Sequence, residues 1–247
     1  MVHDGRCPGE VLDVTFAGAL RDEQQRAVEA MMRTDTGVLS APPAFGKTVI
    51  AAAMIARRRV NTLVLVHRSD LRTQWKERLQ TFLGVDAHVI GTIGGSVARR
   101  TGQIDIAVMQ SLSRHSTVDP IVEAYGQIIV DECHHVGAVS FDAILKRAKA
   151  RFVLGLTATP VRRDGQHPII FMHCGPIRHT IARSRERPST LIVERHPYTT
   201  ASGIPVGAAI QDVYRHLVDD HIRTRCVAET IIRQFRAGRK TLVLVAS

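Results

Sequence analysis

Two short stretches of the sequence carry residues that could do phosphate chemistry. The stretch "APPAFGKT", residues 41–48, lies between an apolar run and an alanine-rich run. It has the pattern of a phosphate-binding loop, in which backbone N–H groups, a helix N-terminus and one lysine face an anion. The stretch "IIVDECHH", residues 128–135, ends an apolar run with Asp131 and Glu132. One such carboxylate can hold Mg²⁺ and the other can deprotonate an attacking water, so the two stretches together predict a nucleotide site.

The loop departs from the usual pattern at two positions. Ala41 occupies the place of the first glycine, and Ala44 a place where a second glycine is common. Glycine is preferred there because it permits unusual dihedral angles and a close approach of the backbone to a ligand. Gly46 and the Lys-Thr pair after it are retained, and the acid pair and "LTATP" at residues 156–160 follow. We therefore expect a working nucleotide site.

Apolar runs alternate with amphipathic stretches along most of the chain. We predict strands at residues 36–41, 61–68, 87–91, 104–109, 127–132 and 152–158, and helices at 20–32, 46–58 and 141–150. Strands that are apolar from end to end and alternate with helices indicate an α/β fold with a parallel sheet covered on both faces. Loops at the carboxyl ends of such strands build the binding site, and both stretches lie at such ends.

A further helix is predicted after residue 68. Leu71, Trp75, Leu79 and Phe82 recur there at spacings of three to four, which places them on one apolar face. Ser69 is a residue type that commonly caps a helix, so we expect Ser69 to cap this one. In the same way Ser140 is expected to open the helix at 141–150.

The amino-acid composition of the chain changes near residue 188. We predict a first lobe at residues 1–187, a linker rich in Pro, Gly, Ser and Thr at 188–207, and a second region at 208–247. The second region is predicted to hold helices at 208–217 and 221–236 and a closing apolar strand in "RKTLVLVAS".

Composition and charge limit the classes of protein to which this chain can belong. The 247 residues include 33 Lys and Arg against 23 Asp and Glu, a net charge of +10, which favours a polyanionic partner. Any one of the basic runs, at 56–59, 98–100, 146–151, 161–163 and 181–187, is more simply a solvated helix end or loop. The apolar runs are too short to span a membrane, and the amino-terminal residues do not resemble a signal peptide.

The four cysteines are scattered and form no C-x-x-C pair. They argue against a disulfide framework and favour a reducing, cytoplasmic location. Cys133, His134 and His135, with His173 and Cys174, offer an alternative zinc site. Consecutive residues leaving a strand point in diverging directions, however, so they are poor ligands for one tetrahedral metal.

Taken in order along residues 20–187, the chain resembles the superfamily 2 helicases and translocases of DExH type. The resemblance is greatest to the branch of restriction-enzyme motor subunits and DNA-repair helicases. Six motifs carry it, in register: "LRDEQQRAV" (the glutamine motif), "APPAFGKT" (motif I), "LVLVHRSDLRTQW" (motif Ia), "IAVMQSL" (a motif that touches the nucleic-acid backbone), "DECH" (motif II) and "TAT" (motif III). The implied fold is RecA-like, with ATP and Mg²⁺ as cofactors.

The resemblance implies roles for individual residues. Gln24 would read adenine, although Glu23 replaces the aromatic residue that usually precedes it. Glu132 would be the general base. The residues that would contact the nucleotide or its metal are Ala44, Phe45, Gly46, Lys47, Thr48 and Asp131, with Thr48 and Asp131 on Mg²⁺ and Lys47 on the β- and γ-phosphates. Those that would couple nucleotide to nucleic acid are His134, Thr157 and Thr159.

The resemblance also implies a partner and a second lobe. Arg68, Gln110 and Ser111 would contact the backbone of a nucleic-acid strand without reading its sequence, and DNA is favoured over RNA. Residues 208–247 resemble the start of a second RecA-like lobe, which in such motors supplies an arginine finger. We therefore expect a longer motor, a second polypeptide that completes the site, or a tail folded back on the first lobe. The alternatives are a module that binds ATP without productive turnover and an RNA helicase.

Overall fold

The computed structural model describes residues 4–94, 99–114, 117–133, 138–158, 167–182 and 209–241. The chain divides into two compact units, Met1–Arg185 and Glu186–Ser247. The predicted linker at 188–207 lies outside the described residues.

The first unit alternates strands and helices. Its longer helices are α1 (Asp22–Met32), α2 (Lys47–Arg58), α3 (Ser69–Leu83), α5 (Ala138–Arg147) and α6 (His167–Cys174), with a short α4 (Met109–Leu112) and a 3₁₀ turn (Pro120–Glu123). Its strands are β1 (Thr36–Ser40), β2 (Thr62–Val66), β3 (Ile90–Ile93), β4 (Ile104–Val108), β5 (Ser113–Arg114), β6 (Thr117–Val118), β7 (Gln127–Val130), β8 (Phe152–Thr157) and β9 (Ile177–Thr180).

Seven of these strands form one sheet in the order β3-β4-β2-β7-β8-β1-β9, and every neighbouring pair is parallel. The two central strands β2 and β7 are buried along their whole length. Both consist largely of Val, Ile and Leu, which suit a strand that is covered on two faces. The predicted α/β fold with a parallel sheet is therefore confirmed.

The core lies in two layers, one on each face of the sheet. Side chains alternate between faces along β2, so that Val64 and Val66 join one cluster and Leu63 and Leu65 the other. The first cluster holds the apolar faces of α1, α2 and α3, and the second holds those of α5 and α6. The predicted apolar face of α3 is part of the first cluster, with Trp75 and Leu79 fully buried.

Several predicted boundaries were wrong. Arg68, in extended conformation, is the N-cap of α3, and Ser69 is its first helical residue. The third strand begins at Ile90, because residues 87–89 form a turn closed by a hydrogen bond from Val89 N to Asp86 O at 3.1 Å. Helix α5 begins at Ala138, before Ser140, and ends at Arg147.

The second unit contains α7 (Ile210–Asp219) and α8 (His221–Arg236). The Asp220 side chain caps α8 by accepting a hydrogen bond from Arg223 N at 2.9 Å. Most of the predicted closing strand, residues 242–247, lies outside the described residues. Among the residues that are described, none of the helices has the length and apolar character needed to cross a membrane.

Candidate nucleotide site

The phosphate loop joins the end of β1 to the start of α2, where the first N–H groups of the helix have no partner within it. Gly46 precedes the helix with a φ of 98°, and a β-carbon added there would lie 2.6 Å from Gln24 Nε2. Only glycine satisfies both constraints. Ala44 also has a positive φ, of 60°. The alanine at the position of the common glycine thus adopts the left-handed conformation that glycine adopts at no steric cost.

Two side chains of the glutamine motif hold the loop from outside. Arg21 Nη2 and Gln24 Nε2 donate hydrogen bonds to the carbonyl oxygen of Phe45, at 2.6 and 2.8 Å. The Arg21 guanidinium also lies 5.1 Å from the centroid of the Phe45 ring, a cation–π contact. Gln24 Oε1 accepts a hydrogen bond from Arg21 N at 3.0 Å. The role of Gln24 in reading adenine stays a prediction; in this structure its amide fixes the loop.

Arg21 was missed by the sequence analysis. The signal that could have found it is its spacing of three residues from Gln24, which places both at the start of α1 beside the loop.

Lys47 and Glu132 form an ion pair across the site. Lys47 Nζ lies 3.1 Å from Glu132 Oε1, and the two side chains are 11% and 25% exposed. The ammonium group also lies 3.5 Å from the carbonyl oxygen of Ala41. A phosphate group that binds Lys47 must therefore compete with the predicted general base. Glu132 has a φ of 45°, a strained conformation for a residue with a side chain.

Asp131 is a buried carboxylate, 8% exposed. Its Oδ2 accepts a hydrogen bond from Trp75 Nε1 at 2.7 Å and its Oδ1 accepts one from Glu132 N at 3.0 Å. Burial raises the pKa of Asp131 above the ordinary value, while the Trp75 hydrogen bond and the charge of Lys47 act in the opposite sense. A divalent cation bound to this carboxylate would compensate its buried charge. Because Mg²⁺ prefers oxygen ligands, the residues present fit Mg²⁺. Thr48, the second residue of α2, is half-buried.

The sheet brings these groups together because β8 lies between β7 and β1. Ala41 N donates to Thr157 O at 2.9 Å, and Cys133 N donates to Leu156 O at 3.0 Å. The phosphate loop, the acid pair and Thr157, the first residue of the predicted motif III, therefore meet at the carboxyl edge. Of the other predicted coupling residues, His134 and Thr159 lie outside the described residues.

The predicted nucleic-acid contacts lie farther along the same edge. Val66 and Val108 are paired across β2 and β4, and Arg68 and Gln110 each follow two residues later. Both side chains are exposed, and Arg68 pairs with Asp70 at 2.9 Å. The Ser111 hydroxyl, in contrast, donates to the carbonyl oxygen of Val108 at 2.6 Å. Arg68 and Gln110 are therefore the more available of the three side chains.

Two of the basic runs are tied to acids of the chain itself. In the run at 56–59, Arg59 pairs with Asp13 at 2.6 Å. In the run at 146–151, Arg147 and Lys149 both pair with Glu123, at 2.8 and 2.6 Å. These runs behave as the simpler interpretation predicts, as ends of helices. The run at 161–163 and residues 183–187 lie outside the described residues.

The alternative zinc site gains no support from the described residues, among which no group of three or more His, Cys, Asp or Glu side chains could hold a metal. His134 and His135 lie outside them. Cys7, Cys133, Cys174 and Cys226 are free thiols in this structure. Burial raises the pKa of Cys174 to about 12, so this thiol is protonated at neutral pH.

Comparisons with known proteins bear on the family and the fold. Residues 18–162 match the family described as type III restriction enzyme, res subunit. L396 of Acanthamoeba polyphaga mimivirus, named a candidate ATP-dependent RNA helicase, is 29% identical over 196 residues, covering 78% of this chain and 37% of that protein. The DNA 3'-5' translocase XPB2 of Sulfurisphaera tokodaii is 34% identical over 158 residues, covering 64% of this chain and 35% of that protein.

A solved structure shares the fold. The UvsW helicase from bacteriophage T4 superposes with a TM-score of 0.58 at 17% identity, over 70% of this chain and 64% of that one. The comparisons confirm the resemblance to superfamily 2 helicases and identify the described sheet as their N-terminal RecA-like lobe. The chain spans little more than a third of the length of the two curated relatives.

Proposed function

The chain belongs to the type III restriction enzyme res subunit family, and we propose that it acts as the ATP-binding lobe of a nucleic-acid motor, a helicase or translocase. The observation that carries the proposal is the meeting of Lys47, Asp131 and Glu132 at the N-terminus of α2, on the carboxyl edge of a parallel sheet. A lysine, two carboxylates and a ring of backbone N–H groups are the parts that phosphoryl transfer needs.

Each group has a distinct part in this proposal. The loop residues Ala44, Phe45 and Gly46 and the first turn of α2 bind phosphate oxygens through backbone N–H groups. Lys47 leaves Glu132 and pairs with the β- and γ-phosphates, which frees the Glu132 carboxylate to accept a proton from the attacking water.

The metal has its own ligands in this proposal. Thr48 and Asp131 hold Mg²⁺, which when bound neutralises charge on the phosphoryl group.

Nucleic acid is proposed to bind along the neighbouring part of the edge. Arg68 and Gln110 contact a strand's phosphates, Ser111 shapes the turn beside them, and Thr157, with His134 and Thr159, couples the two sites. Contacts of this kind position a strand without reading bases. DNA is favoured over RNA, as the name of the XPB2 relative supports, whereas the name of L396 supports the RNA alternative. A second lobe, on the same or another polypeptide, supplies an arginine, and the free thiols suit a cytoplasmic location.

Steady-state ATP hydrolysis with duplex DNA, RNA or neither tests the proposal. We expect Glu132→Gln to bind Mg-ATP but lose turnover, and Lys47→Ala to lose binding. Glu123→Gln, a change of the same kind at an acid outside the site, should behave as the wild type.

Three outcomes would count against parts of the proposal. Equal turnover by the wild type and Glu132→Gln would contradict the assigned base. Binding without turnover in the wild type would favour either the non-hydrolysing module or a motor lobe that lacks the arginine of its second lobe. Equal stimulation by RNA and DNA would contradict the preference for DNA.

A further inference from the structure

Trp75 occupies an unusual place for a core residue. It is the only tryptophan in the chain, it is 1% exposed, and its ring is part of the cluster beneath α1, α2 and α3. Its indole N–H donates to Asp131 Oδ2 at 2.7 Å, across a separation of 56 residues in the sequence. A buried indole N–H needs an acceptor, and a backbone carbonyl would satisfy that need. The acceptor here is instead the carboxylate that the proposed function assigns to Mg²⁺.

The bond fixes the orientation of that carboxylate. One oxygen of Asp131 is bonded to the indole and the other to Glu132 N, so rotation of the group about its own axis would break both bonds. The indole is in turn immobilised by the surrounding core, since α3 packs against α2, the helix that begins with Lys47 and Thr48. Trp75 therefore bonds to Asp131 directly, and its helix packs against the helix that carries Lys47 and Thr48.

Mg²⁺ is sensitive to such orientation. It demands nearly ideal octahedral geometry with ligands at about 2.0–2.1 Å. Groups that bond to a metal ligand commonly change metal affinity or activity by about 10–100-fold when they are removed. From the Trp75–Asp131 bond we propose that Trp75 is a positioning residue for the metal-binding carboxylate of Asp131. This proposal rests on the proposed function of the site.

A matched pair of variants separates positioning from packing. Trp75→Phe keeps an aromatic ring and removes the N–H donor. Tyr125→Phe removes an aromatic O–H donor from another buried carboxylate, Asp105, to which the phenol donates at 2.6 Å. Tyr125 and Asp105 lie at the amino edge of the sheet, before β7 and at the start of β4, away from the nucleotide site. Both variants lose one charge-assisted hydrogen bond in the core, but only one of these bonds reaches the metal ligand.

The test is nucleotide binding by the full chain, measured with a fluorescent ATP analogue in EDTA and over a titration of Mg²⁺. We expect Trp75→Phe to bind the analogue in EDTA as the wild type does and to need about 10–100-fold more Mg²⁺ for the metal-dependent gain in affinity. Tyr125→Phe should show the wild-type dependence on Mg²⁺. If Trp75→Phe shifts the Mg²⁺ midpoint less than about twofold, or if both variants shift it equally, positioning by Trp75 is overturned.

The result also distinguishes the two proposals. A wild-type chain that binds no analogue with or without Mg²⁺ overturns the proposed function, and the inference with it. If Trp75→Phe does not fold, the wild-type chain supplies the answer, because Trp75 is its single tryptophan. The emission of Trp75 should change when Mg²⁺ is added to the wild-type chain with the analogue bound. It should not change when Mg²⁺ is added, without the analogue, to the Lys47→Ala variant. Unchanged emission during a Mg²⁺-dependent gain in binding overturns the inference.

Discussion

The conformation of Ala44 predicts an unusual result, that one substitution in a functional loop stabilises the protein while its near neighbour destabilises it. Ala44 has a φ of 60°, and the left-handed region costs a non-glycine residue about 1–2 kcal/mol. Ala44→Gly removes that cost but gives the unfolded chain more freedom, a loss of about 0.4–1 kcal/mol. The relief of strain is the larger effect, so we expect a net gain of up to about 1.5 kcal/mol in the free energy of unfolding.

Gly46→Ala is the matched change, a single methyl group added two residues away in the same loop. The φ of 98° strains an alanine, and its β-carbon would lie 2.6 Å from Gln24 Nε2. Gln24 must then move and lose its hydrogen bond to Phe45 O, which adds about 0.5–1.5 kcal/mol to the strain. After the entropic gain of replacing glycine, we expect the variant to lose about 0.5–3 kcal/mol.

Urea unfolding followed by tryptophan emission measures both variants, because Trp75 lies in the first unit and reports its unfolding. For a unit of this size, 1 kcal/mol corresponds to about 2–4 °C in the melting temperature, which gives an independent check. The reasoning is refuted if Ala44→Gly is less stable than the wild type by more than about 0.5 kcal/mol, or if Gly46→Ala is as stable as the wild type.

Three further predictions follow from the buried and exposed charges. Tyr125→Phe should destabilise the first unit by about 1.5–3 kcal/mol in urea unfolding, since it removes a hydrogen bond to the fully buried Asp105; an unchanged midpoint would contradict this. Asp131→Asn should stabilise the unit at neutral pH, because burial raises the pKa of Asp131 and a raised acid pKa contributes stability only at low pH, which is lost as pH rises through the folded-state pKa. Its advantage should therefore shrink as the pH of the urea titration falls through the raised folded-state pKa, and should be gone once the pH is below 3.8, the ordinary value; an advantage that grows toward acid would contradict this. Arg68→Ala should reduce the slope of log DNA affinity against log salt by about one unit, whereas Arg59→Ala, an exposed arginine paired with Asp13, should leave the slope unchanged; equal effects would argue against phosphate contact by Arg68.

Most of the sheet could be predicted, because its central strands are runs of consecutive apolar residues. The edge strand β9, which is largely exposed, was not predicted. Runs such as 62–66 and 127–130 are apolar on both faces, which in water is stable only at the centre of a covered sheet. Helix ends are less well specified, since the same polar residue types occur on either side of a boundary. Arg68 rather than Ser69 is therefore the N-cap of α3, although the apolar face of that helix was predicted correctly.

The candidate site could be predicted only in part, and the missing part has a common cause. Lys47, Asp131 and Glu132 follow strands whose carboxyl ends a parallel sheet brings to one edge, so the topology implies that they lie near each other. The Trp75–Asp131 bond depends on which acceptor a buried indole reaches across 56 residues, and no local pattern encodes that choice. Sequence periodicity placed Trp75 in the core without indicating its partner.

Backbone conformation at the site is the other property that could not be predicted from the sequence. Among the described residues, the non-glycine residues with positive φ are Ala44, Arg59 and Glu132. Two of them lie in the phosphate loop and at the predicted general base, although alanine and glutamate both disfavour that conformation. Local preference fails where the surrounding structure imposes a strained backbone, and such positions concentrate at functional sites. The strain at Glu132 and its ion pair with Lys47 thus belong to one arrangement, in which the loop and the acid pair are held in place before any phosphate reaches them.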